Sequence, residues 1–179
     1  MAALTVPVGP KDHIQGEPDA PCTLVEYGDY QCPSCGQAYP IVKQIQKHFG
    51  KRLRFVFRNF PLAQMHPQAE AAAETAEFAA EKGKFWEMHD RLYENQARLG
   101  LPLYEELATD LDLSSDALLP ALEQGTYRDR VRADFSSGVR SGVNGTPTFF
   151  INGVRNDGSF DYDSLVAAID SALAASHHK

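Results

Sequence analysis

The sequence predicts an α/β protein whose sheet-forming segments are separated by a helical insertion. Three observations predict this class. A strand, a helix and a second strand follow one another within residues 1–62, and a strand–helix–strand unit implies two parallel strands with a right-handed crossover. The strand pattern is then absent over residues 63–125. It returns within residues 126–179, so the sheet is built from two parts that are far apart in the chain.

The first part contains the strand–helix–strand unit. Residues 1–20 are rich in Pro, Gly and Asp without sustained periodicity, which predicts an extended arm. Residues 22–30 carry β-branched and aromatic side chains and predict a buried strand. Apolar residues at helical spacing predict a helix over 33–49, and Pro40 inside it is expected to kink it. Residues 52–60 alternate apolar and polar side chains, which predicts the second strand.

The insertion, residues 63–125, is predicted to contain four helices. The first is an alanine- and glutamate-rich stretch of strong helix formers that ends at Gly83. An amphipathic helix follows over 84–96. Two shorter helices are predicted over 102–113 and 114–125, and a serine cap begins the second of these.

The last part returns to the sheet. A long helix is predicted over 126–142. Residues 145–155 then predict a strand, a tight turn at Asn152-Gly153 and a further strand. An amphipathic helix closes the chain, and we expect its end, residues 176–179, to fray.

The composition is that of an ordinary globular protein with an acidic balance. The chain has 179 residues, with 17 Lys plus Arg against 24 Asp plus Glu, which gives a net charge of −7. This charge argues against nucleic acid or an anionic membrane surface as the main partner. Residues 1–16 lack the basic and apolar regions of a signal peptide. We therefore expect a cytoplasmic protein and a monomer, or a periplasmic or secreted protein if a leader has been removed.

Cys32 and Cys35 form a Cys-x-x-Cys pair at the start of the first predicted helix. If Cys32 is the N-cap, Pro33 takes the first helical position, where a missing N–H is tolerated. The free N–H groups of Ser34 and Cys35 can then point at the Cys32 sulfur. These groups and the helix dipole favour the thiolate, so the pKa of Cys32 should lie below the free value of about 8.5. We expect Cys32 to face solvent and attack, and Cys35 to face inward and resolve the mixed disulfide.

Two other uses of a cysteine pair are weaker alternatives. Zinc usually takes four nitrogen or sulfur ligands, and the sequence has no second Cys-x-x-Cys. A structural disulfide that closes so short a loop stabilises little. The other candidate zinc ligands lie far apart in the sequence: Cys22, His13, His48, His66 and His89. We therefore predict redox chemistry with no metal and no cofactor.

Glu26 and the segment Thr146-Pro147 are candidate partners of the pair. A carboxylate in an apolar strand is unfavourable unless it is hydrogen-bonded or functional, so Glu26 is a candidate to exchange a proton with Cys35 through a water. The alternative is a strand-edge glutamate that faces water. Pro147 is tolerated at the start of a strand. A cis Thr146–Pro147 bond would leave the Thr146 backbone free to pair with an extended peptide.

Three other residues are predicted to have structural roles. Cys22 begins the first strand at a core position, where a free cysteine packs well and stays unreactive. His66 is predicted to lie in a loop, and His89 on the surface of a helix.

Four stretches of the sequence carry a resemblance to a known family: TLVEYGDYQCPSC, FRNFPL with a following HP, KFWEMHDRLYENQ, and GVNGTPTFFINGV. They resemble the DsbA-like thioredoxin-fold oxidoreductases, in particular the branch that also occurs fused to sodium/proton antiporters. The resemblance covers about Pro18 to Ile169. It implies a thioredoxin fold, with a central mixed sheet flanked by helices, that is interrupted by an inserted helical domain.

The resemblance also implies roles for particular residues. Cys32 would be the nucleophile and Cys35 the resolving thiol of a redox disulfide, and Glu26 matches the buried acid of such folds. The implied substrate-binding residues are Pro33, Ser34, Thr146 and Pro147, with Pro147 as the cis-proline. Ser34 replaces the histidine of the best-known periplasmic oxidant, and Thr146 stands where oxidant members often carry valine. The direction of the redox chemistry therefore stays open.

The leading functional hypothesis is a protein-disulfide oxidoreductase. Its expected partners are protein thiols or disulfides and a redox-recycling partner, with a membrane-protein partner by analogy with the antiporter fusions. A peptide-binding module with secondary redox activity is the second hypothesis, and a zinc-binding protein is the third.

Overall fold

A computed structural model of the protein describes residues 2–176, which form five β-strands and seven α-helices. The strands are β1 (His13–Gly16), β2 (Cys22–Gly28), β3 (Leu53–Asn59), β4 (Thr148–Ile151) and β5 (Val154–Arg155). The α-helices are α1 (Pro33–Phe49), α2 (Ala69–Ala80), α3 (Phe85–Glu94), α4 (Leu101–Asp110), α5 (Ser115–Gln124), α6 (Arg128–Arg140) and α7 (Tyr162–Ser176). Fraying is expected over residues 176–179; Ser176 is the last residue of α7, and residues 177–179 lie outside the described residues.

The strands form one mixed sheet in the order β1-β3-β2-β4-β5. β2 and β3 are parallel and joined through α1, as the strand–helix–strand pattern predicts. β4 runs antiparallel to β2, and β5 runs antiparallel to β4. The expected mixed sheet flanked by helices is therefore confirmed.

The N-terminal arm contains a strand that the sequence analysis does not predict. β1 pairs antiparallel with the outer edge of β3, with Ile14 opposite Val56, and Ala3 makes an isolated bridge to Val154. The sequence predicts an extended arm, but not that its residues 13–16 join the sheet. Four residues are too few for an alternating pattern to be recognised, and the strand is stabilised by the β3 edge that it covers.

Helix α1 places the cysteine pair just beyond the carboxyl end of β2, the middle strand of the sheet. It begins at Pro33 and ends at Phe49, as predicted, and Gly50 caps it with a positive φ of 53°. Its buried side chains recur at helical spacing: Cys35, Ala38, Val42, Ile45 and Phe49. Pro40 lies on the exposed side and the helix continues through it.

Five helices, α2 to α6, lie between β3 and β4. They include the four helices predicted over residues 63–125, and the Ser114 hydroxyl caps α5 by accepting a hydrogen bond from the Ala117 N–H at 3.2 Å. Apolar side chains of α3 and α4 share one core with those of α1 and the sheet. The division of the chain into parts 1–62, 63–125 and 126–179 stays a prediction. Within residues 2–176, no helix combines the length and apolar character needed to span a lipid bilayer.

Candidate active site

The cysteine pair lies where β2 gives way to α1. Cys32 is the N-cap of α1, with extended backbone angles of −67° and 123°, and Pro33 follows at the first helical position. Both cysteines are free thiols. Cys35 has no exposed surface, whereas 6% of Cys32 is exposed. Cys35 faces inward, as expected. The sequence predicts that Cys32 faces solvent, but it is largely buried.

The surroundings of the Cys32 sulfur favour its thiolate. The hydrogen bond from the Cys35 thiol lowers the pKa of Cys32 to about 5, against the effect of burial, and the backbone N–H groups of Cys35 and Ser34 act in the same direction. The Cys32 thiol lies 3.5 Å from the carbonyl oxygen of Thr146, to which it can donate only while protonated. The Thr146 hydroxyl is buried and has no other partner in the part of the chain that the structure describes, so it can donate to the thiolate instead.

Cys35 has the opposite character. Burial raises the pKa of Cys35 well above its ordinary value, and the hydrogen bond to Cys32 and the nearby charge of Glu26 act in the same direction. At neutral pH the pair therefore holds one thiolate, on Cys32, and one thiol, on Cys35. This asymmetry is what a nucleophile and its resolving thiol require.

Glu26 is a buried carboxyl group beneath the pair. It lies on β2 opposite Phe57 of β3 on one side and Phe149 of β4 on the other, and only 2% of it is exposed. It therefore does not face water at a strand edge. Among residues 2–176, its Oε2 has no hydrogen-bond partner. Burial, with a contribution from the charge of Cys32, raises the pKa of Glu26 to about 8.

The Thr146-Pro147 loop lies beside Cys32 because β4 pairs with β2. The structure has the Thr146–Pro147 peptide bond in the cis form. A polar cavity of about 290 Å³ borders Pro147, and Pro33 is exposed at the start of α1. Cys32, Pro33 and Ser34 are thus brought together with the Thr146-Pro147 loop, above the buried Glu26.

The sequence profile of the thioredoxin family matches residues 9–171 of the chain. The chain belongs to this thioredoxin family. A curated relative of the thioredoxin-family chain is the Na(+)/H(+) antiporter NhaA 1 of Salinispora arenicola (strain CNS-205), which is 44% identical over 172 residues. That match covers 96% of the chain and 26% of the antiporter. The chain thus spans about a quarter of the length of the curated relatives it matches.

Solved structures give the same result for the fold. Oxidised BdbD from Bacillus subtilis superposes with a TM-score of 0.87 at 27% identity, over 97% of this chain and 98% of BdbD. Wolbachia pipientis alpha-DsbA1 has a TM-score of 0.82 over 97% of this chain and 96% of its own, and its 21% identity supports the fold alone. The resemblance to DsbA-like thioredoxin-fold proteins is confirmed, and with it, at the level of the family, the expectation of a disulfide oxidoreductase.

Asp29 organises the loop before the cysteines in this thioredoxin-family protein. Its buried carboxylate accepts hydrogen bonds from the backbone N–H of Gln31 at 2.8 Å and of Leu62 at 2.9 Å. The Nδ1 of His66 lies 2.8 Å from the same carboxylate. His66 is in a loop, as expected, and this contact fastens the loop to the active-site segment. No local sequence pattern predicts these contacts, because Asp29 lies more than 30 residues before Leu62 and His66.

His89 does not lie on the surface of α3, so that prediction is wrong. It is buried, its Nδ1 lies 2.8 Å from the Tyr30 hydroxyl, and burial holds its pKa well below the ordinary value. The sequence contained the signal. The buried residues of α3 follow a helical stripe that includes this histidine: Phe85, Met88, His89, Leu92 and Tyr93.

Cys22 is buried at the start of β2, and burial raises its pKa to about 11. Its thiolate is therefore scarce at neutral pH, as expected for a cysteine that only packs. Within the described part of the chain, no three or more His, Cys, Asp or Glu side chains are grouped so that they could hold a metal ion.

Proposed function

We propose that this protein exchanges disulfides with protein thiols through a mixed disulfide on Cys32. The observation that carries the proposal is the asymmetry of the cysteine pair. Cys32 has a pKa of about 5 and some exposed surface, whereas Cys35 is fully buried with a raised pKa. A thiolate nucleophile three residues before a protonated, shielded thiol is the arrangement that exchange requires.

Oxidation of a substrate proceeds in two steps. A substrate thiolate attacks the Cys32 sulfur of the Cys32–Cys35 disulfide, the S–S bond breaks, and Cys35 leaves and takes up a proton. A second substrate thiolate then attacks the substrate sulfur of the mixed disulfide and expels the Cys32 thiolate, whose low pKa makes it a good leaving group. Two substrate thiols thereby become one disulfide, two electrons reduce the cysteine pair, and one proton is released. Reduction of a substrate is the reverse.

Glu26 moves the proton of Cys35 in this scheme. When Cys32 is bound in a mixed disulfide it carries no charge, so one of the two causes that raise the pKa of Glu26 is removed. Glu26 then ionises more readily and accepts the Cys35 proton, through a water, in the reducing direction. In the oxidising direction it returns the proton as Cys35 leaves.

The substrate segment is proposed to bind between the start of α1 and the loop before β4. Main-chain groups at Thr146 pair with an extended peptide, since strand addition supplies hydrogen bonds without regard to sequence. Pro33, Ser34 and Pro147 contact the residues on either side of the reacting cysteine. This site would accept unfolded or extended protein segments rather than small thiols alone.

The pKa of Cys32 bears on the reduction potential of the pair. A Cys32 pKa of about 5 lies between the values of about 7 in thioredoxin and about 3.5 in DsbA, so we infer an intermediate reduction potential. Disulfide donation fits an oxidising compartment. A solved structure of the same fold, at 19% identity, is a periplasmic thioredoxin-like protein from Salmonella enterica serovar Typhimurium, and we propose the periplasmic or secreted alternative in place of the cytoplasmic location expected from the sequence. The matched antiporters make a membrane protein a proposed partner, beside a redox-recycling partner.

A peptide-binding module with secondary redox activity is the second candidate, favoured by the cis Thr146-Pro147 loop, whose Thr146 carbonyl oxygen lies 3.5 Å from the Cys32 sulfur. Two variants separate it from the enzyme. With a protein substrate that carries a disulfide, the Cys32 thiolate of Cys35→Ser should attack that disulfide, release one substrate thiol and accumulate a mixed disulfide that no second thiol of the pair resolves. Cys32→Ser should form no mixed disulfide and lose turnover. Peptide binding that survives in Cys32→Ser, with no turnover in the unaltered protein, would favour the binding module instead.

A further inference from the structure

A side chain of the helical insertion contacts the active-site loop directly. Gln96 begins a short 3₁₀ turn, Gln96–Arg98, directly after α3 and lies 64 residues after Cys32. Its Nε2 donates to the carbonyl oxygen of Tyr30 at 2.9 Å and to that of Cys32 at 2.8 Å. Both hydrogens of the amide nitrogen are therefore used. The orientation of the amide is fixed, because Oε1 in that place would face two acceptors.

We propose that Gln96 is the positioning residue for Cys32, and that its amide holds the N-cap of α1 in the geometry in which Cys32 reacts. The inference rests on the proposed thiol–disulfide exchange and adds to it a residue that touches neither sulfur. It assigns the helical insertion a role in setting the reactivity of the nucleophile.

Gly36 provides the space that this contact needs. A Cβ atom at Gly36 would overlap Oε1 of Gln96, so any side chain there would displace the amide. The N–H of Gly36 also donates to the Cys32 carbonyl, at 3.0 Å, as the first hydrogen bond of the helix. Within a helix, alanine is favoured over glycine by about 1 kcal/mol. A glycine at this position is explained by the amide that lies against it.

Other contacts hold the same loop further from the nucleophile. The Gln31 side chain accepts a hydrogen bond from the backbone N–H of Gln68 at 2.6 Å, and Asp29 binds the segment after β3. Gln96 reaches the main chain of Cys32 itself. The N–H groups of Ser34 and Cys35 can stabilise the thiolate only if the N-cap keeps its extended conformation, and the Gln96 amide fixes the carbonyl end of that residue.

The test measures the pKa of Cys32 in the full chain, from the pH dependence of its alkylation by iodoacetamide, with the modified cysteine located by mass spectrometry. Gln96→Met keeps the length of the side chain and removes the donor. Gly36→Ala displaces the amide and leaves Gln96 unchanged. We expect each to raise the pKa of Cys32 by about one unit, the size of one lost hydrogen bond. Gln96→Glu, which sets an oxygen against the two carbonyls, should raise it further.

Two controls make the result specific. Gln124→Met, at an exposed position of α5, should leave the pKa of Cys32 unchanged. The double variant Gly36→Ala/Gln96→Met should show no larger shift than the greater of the single shifts, because both act on one contact. If Gln96→Met does not fold, Gly36→Ala decides, since alanine favours the helix.

An unchanged Cys32 pKa in folded Gln96→Met and Gly36→Ala would overturn the inference about Gln96. That outcome is distinct from a failure of the proposed function, in which the unaltered protein itself would show an ordinary Cys32 pKa and no disulfide exchange.

Discussion

Two buried glutamates in this protein occupy opposite kinds of surroundings. Glu77 on α2 is 4% exposed, and its carboxylate is bonded to His13 at 2.8 Å and to the Asn59 amide at 2.9 Å, with Arg130 at 3.7 Å. Burial acts to raise the pKa of Glu77, but these partners lower it overall. Glu26 has an Oε2 without a partner, and its pKa rises to about 8.

This difference indicates a structural role for Glu77 and a role in proton transfer for Glu26. Around Glu77 the Asn59 side chain also donates to Asp134 of α6 at 3.0 Å, so the network joins the end of β3 to two helices of the segment between β3 and β4. Removing one member of such a buried, hydrogen-bonded charge network is strongly destabilising, because the others lose their partner. A buried carboxyl without such partners is destabilising and is free to change its protonation state, which suits a group that transfers a proton.

The largest expected effect is the loss of stability when the side chain of Glu77 is removed. Glu77→Ala leaves His13, Asn59 and Arg130 without their shared partner, so the free energy of unfolding should fall by roughly 3 kcal/mol. Urea denaturation measures this, and Glu123→Ala, at an exposed position of α5, is the control with little change. The rate of disulfide exchange per folded molecule should be unaltered. A fall in that rate at unchanged stability would contradict the structural role.

The unpaired acid should behave in the reverse way. Glu26→Gln keeps the shape of the side chain and removes the titratable proton, so turnover of a protein substrate should fall by about 10²-fold. The free energy of unfolding at pH 7 should not decrease, because no hydrogen bond to Oε2 is lost. Stopped-flow exchange and urea denaturation measure the two quantities. Normal turnover in this variant would remove Glu26 from the mechanism.

The pH dependence of stability should carry opposite signs for the two acids. The folded-state pKa of Glu26 is raised from 4.5 to about 8. Between about pH 5 and 8 this carboxyl is therefore ionised in the unfolded protein but still protonated in the folded one, so stability falls as the pH rises through that range. Relative to the unaltered protein, Glu26→Gln should therefore gain stability across that range. The pKa of Glu77 is lowered, so its contribution is present above pH 4.5 and is lost as the pH falls below. Urea titrations from about pH 8 down to about pH 3 test both signs, since the loss at Glu77 lies below its unfolded pKa.

The smallest effect is expected at the third cysteine. Cys22→Ala removes one buried sulfur from the core, so the free energy of unfolding should fall by about 1 kcal/mol, and the exchange rate should be unchanged. A clear loss of exchange in this variant would show that Cys22 takes part in the chemistry.

The sequence predicts an element well where particular residues mark its first and last positions. Helix α1 is predicted from Pro33 to Phe49 because a proline marks its first position and a glycine ends it. The asymmetry of the cysteine pair follows from the same helix start. The apolar strand makes an interior Glu26 one of two alternatives in the sequence, and its 2% exposure decides for it.

The remaining features depend on contacts between distant segments. Glu77 contacts His13, which is 64 residues away, and Asn59, which is 18 residues away. Gln96 donates to the carbonyl groups of Cys32 and Tyr30, which are 64 and 66 residues away. No local pattern encodes such pairs. β1 escapes prediction because its four residues gain their stability from the β3 edge. The burial of His89, by contrast, could be predicted from the helical stripe on which it lies.

The reduction potential of the Cys32–Cys35 pair against glutathione, measured by thiol alkylation, tests the central claim most directly. The proposed exchange and the lowered pKa of Cys32 predict an equilibrium with glutathione at an intermediate potential, between about −230 and −150 mV. A pair that stays fully reduced in excess oxidised glutathione, with no mixed disulfide on Cys32, would contradict the assignment of this protein as a thiol–disulfide oxidoreductase.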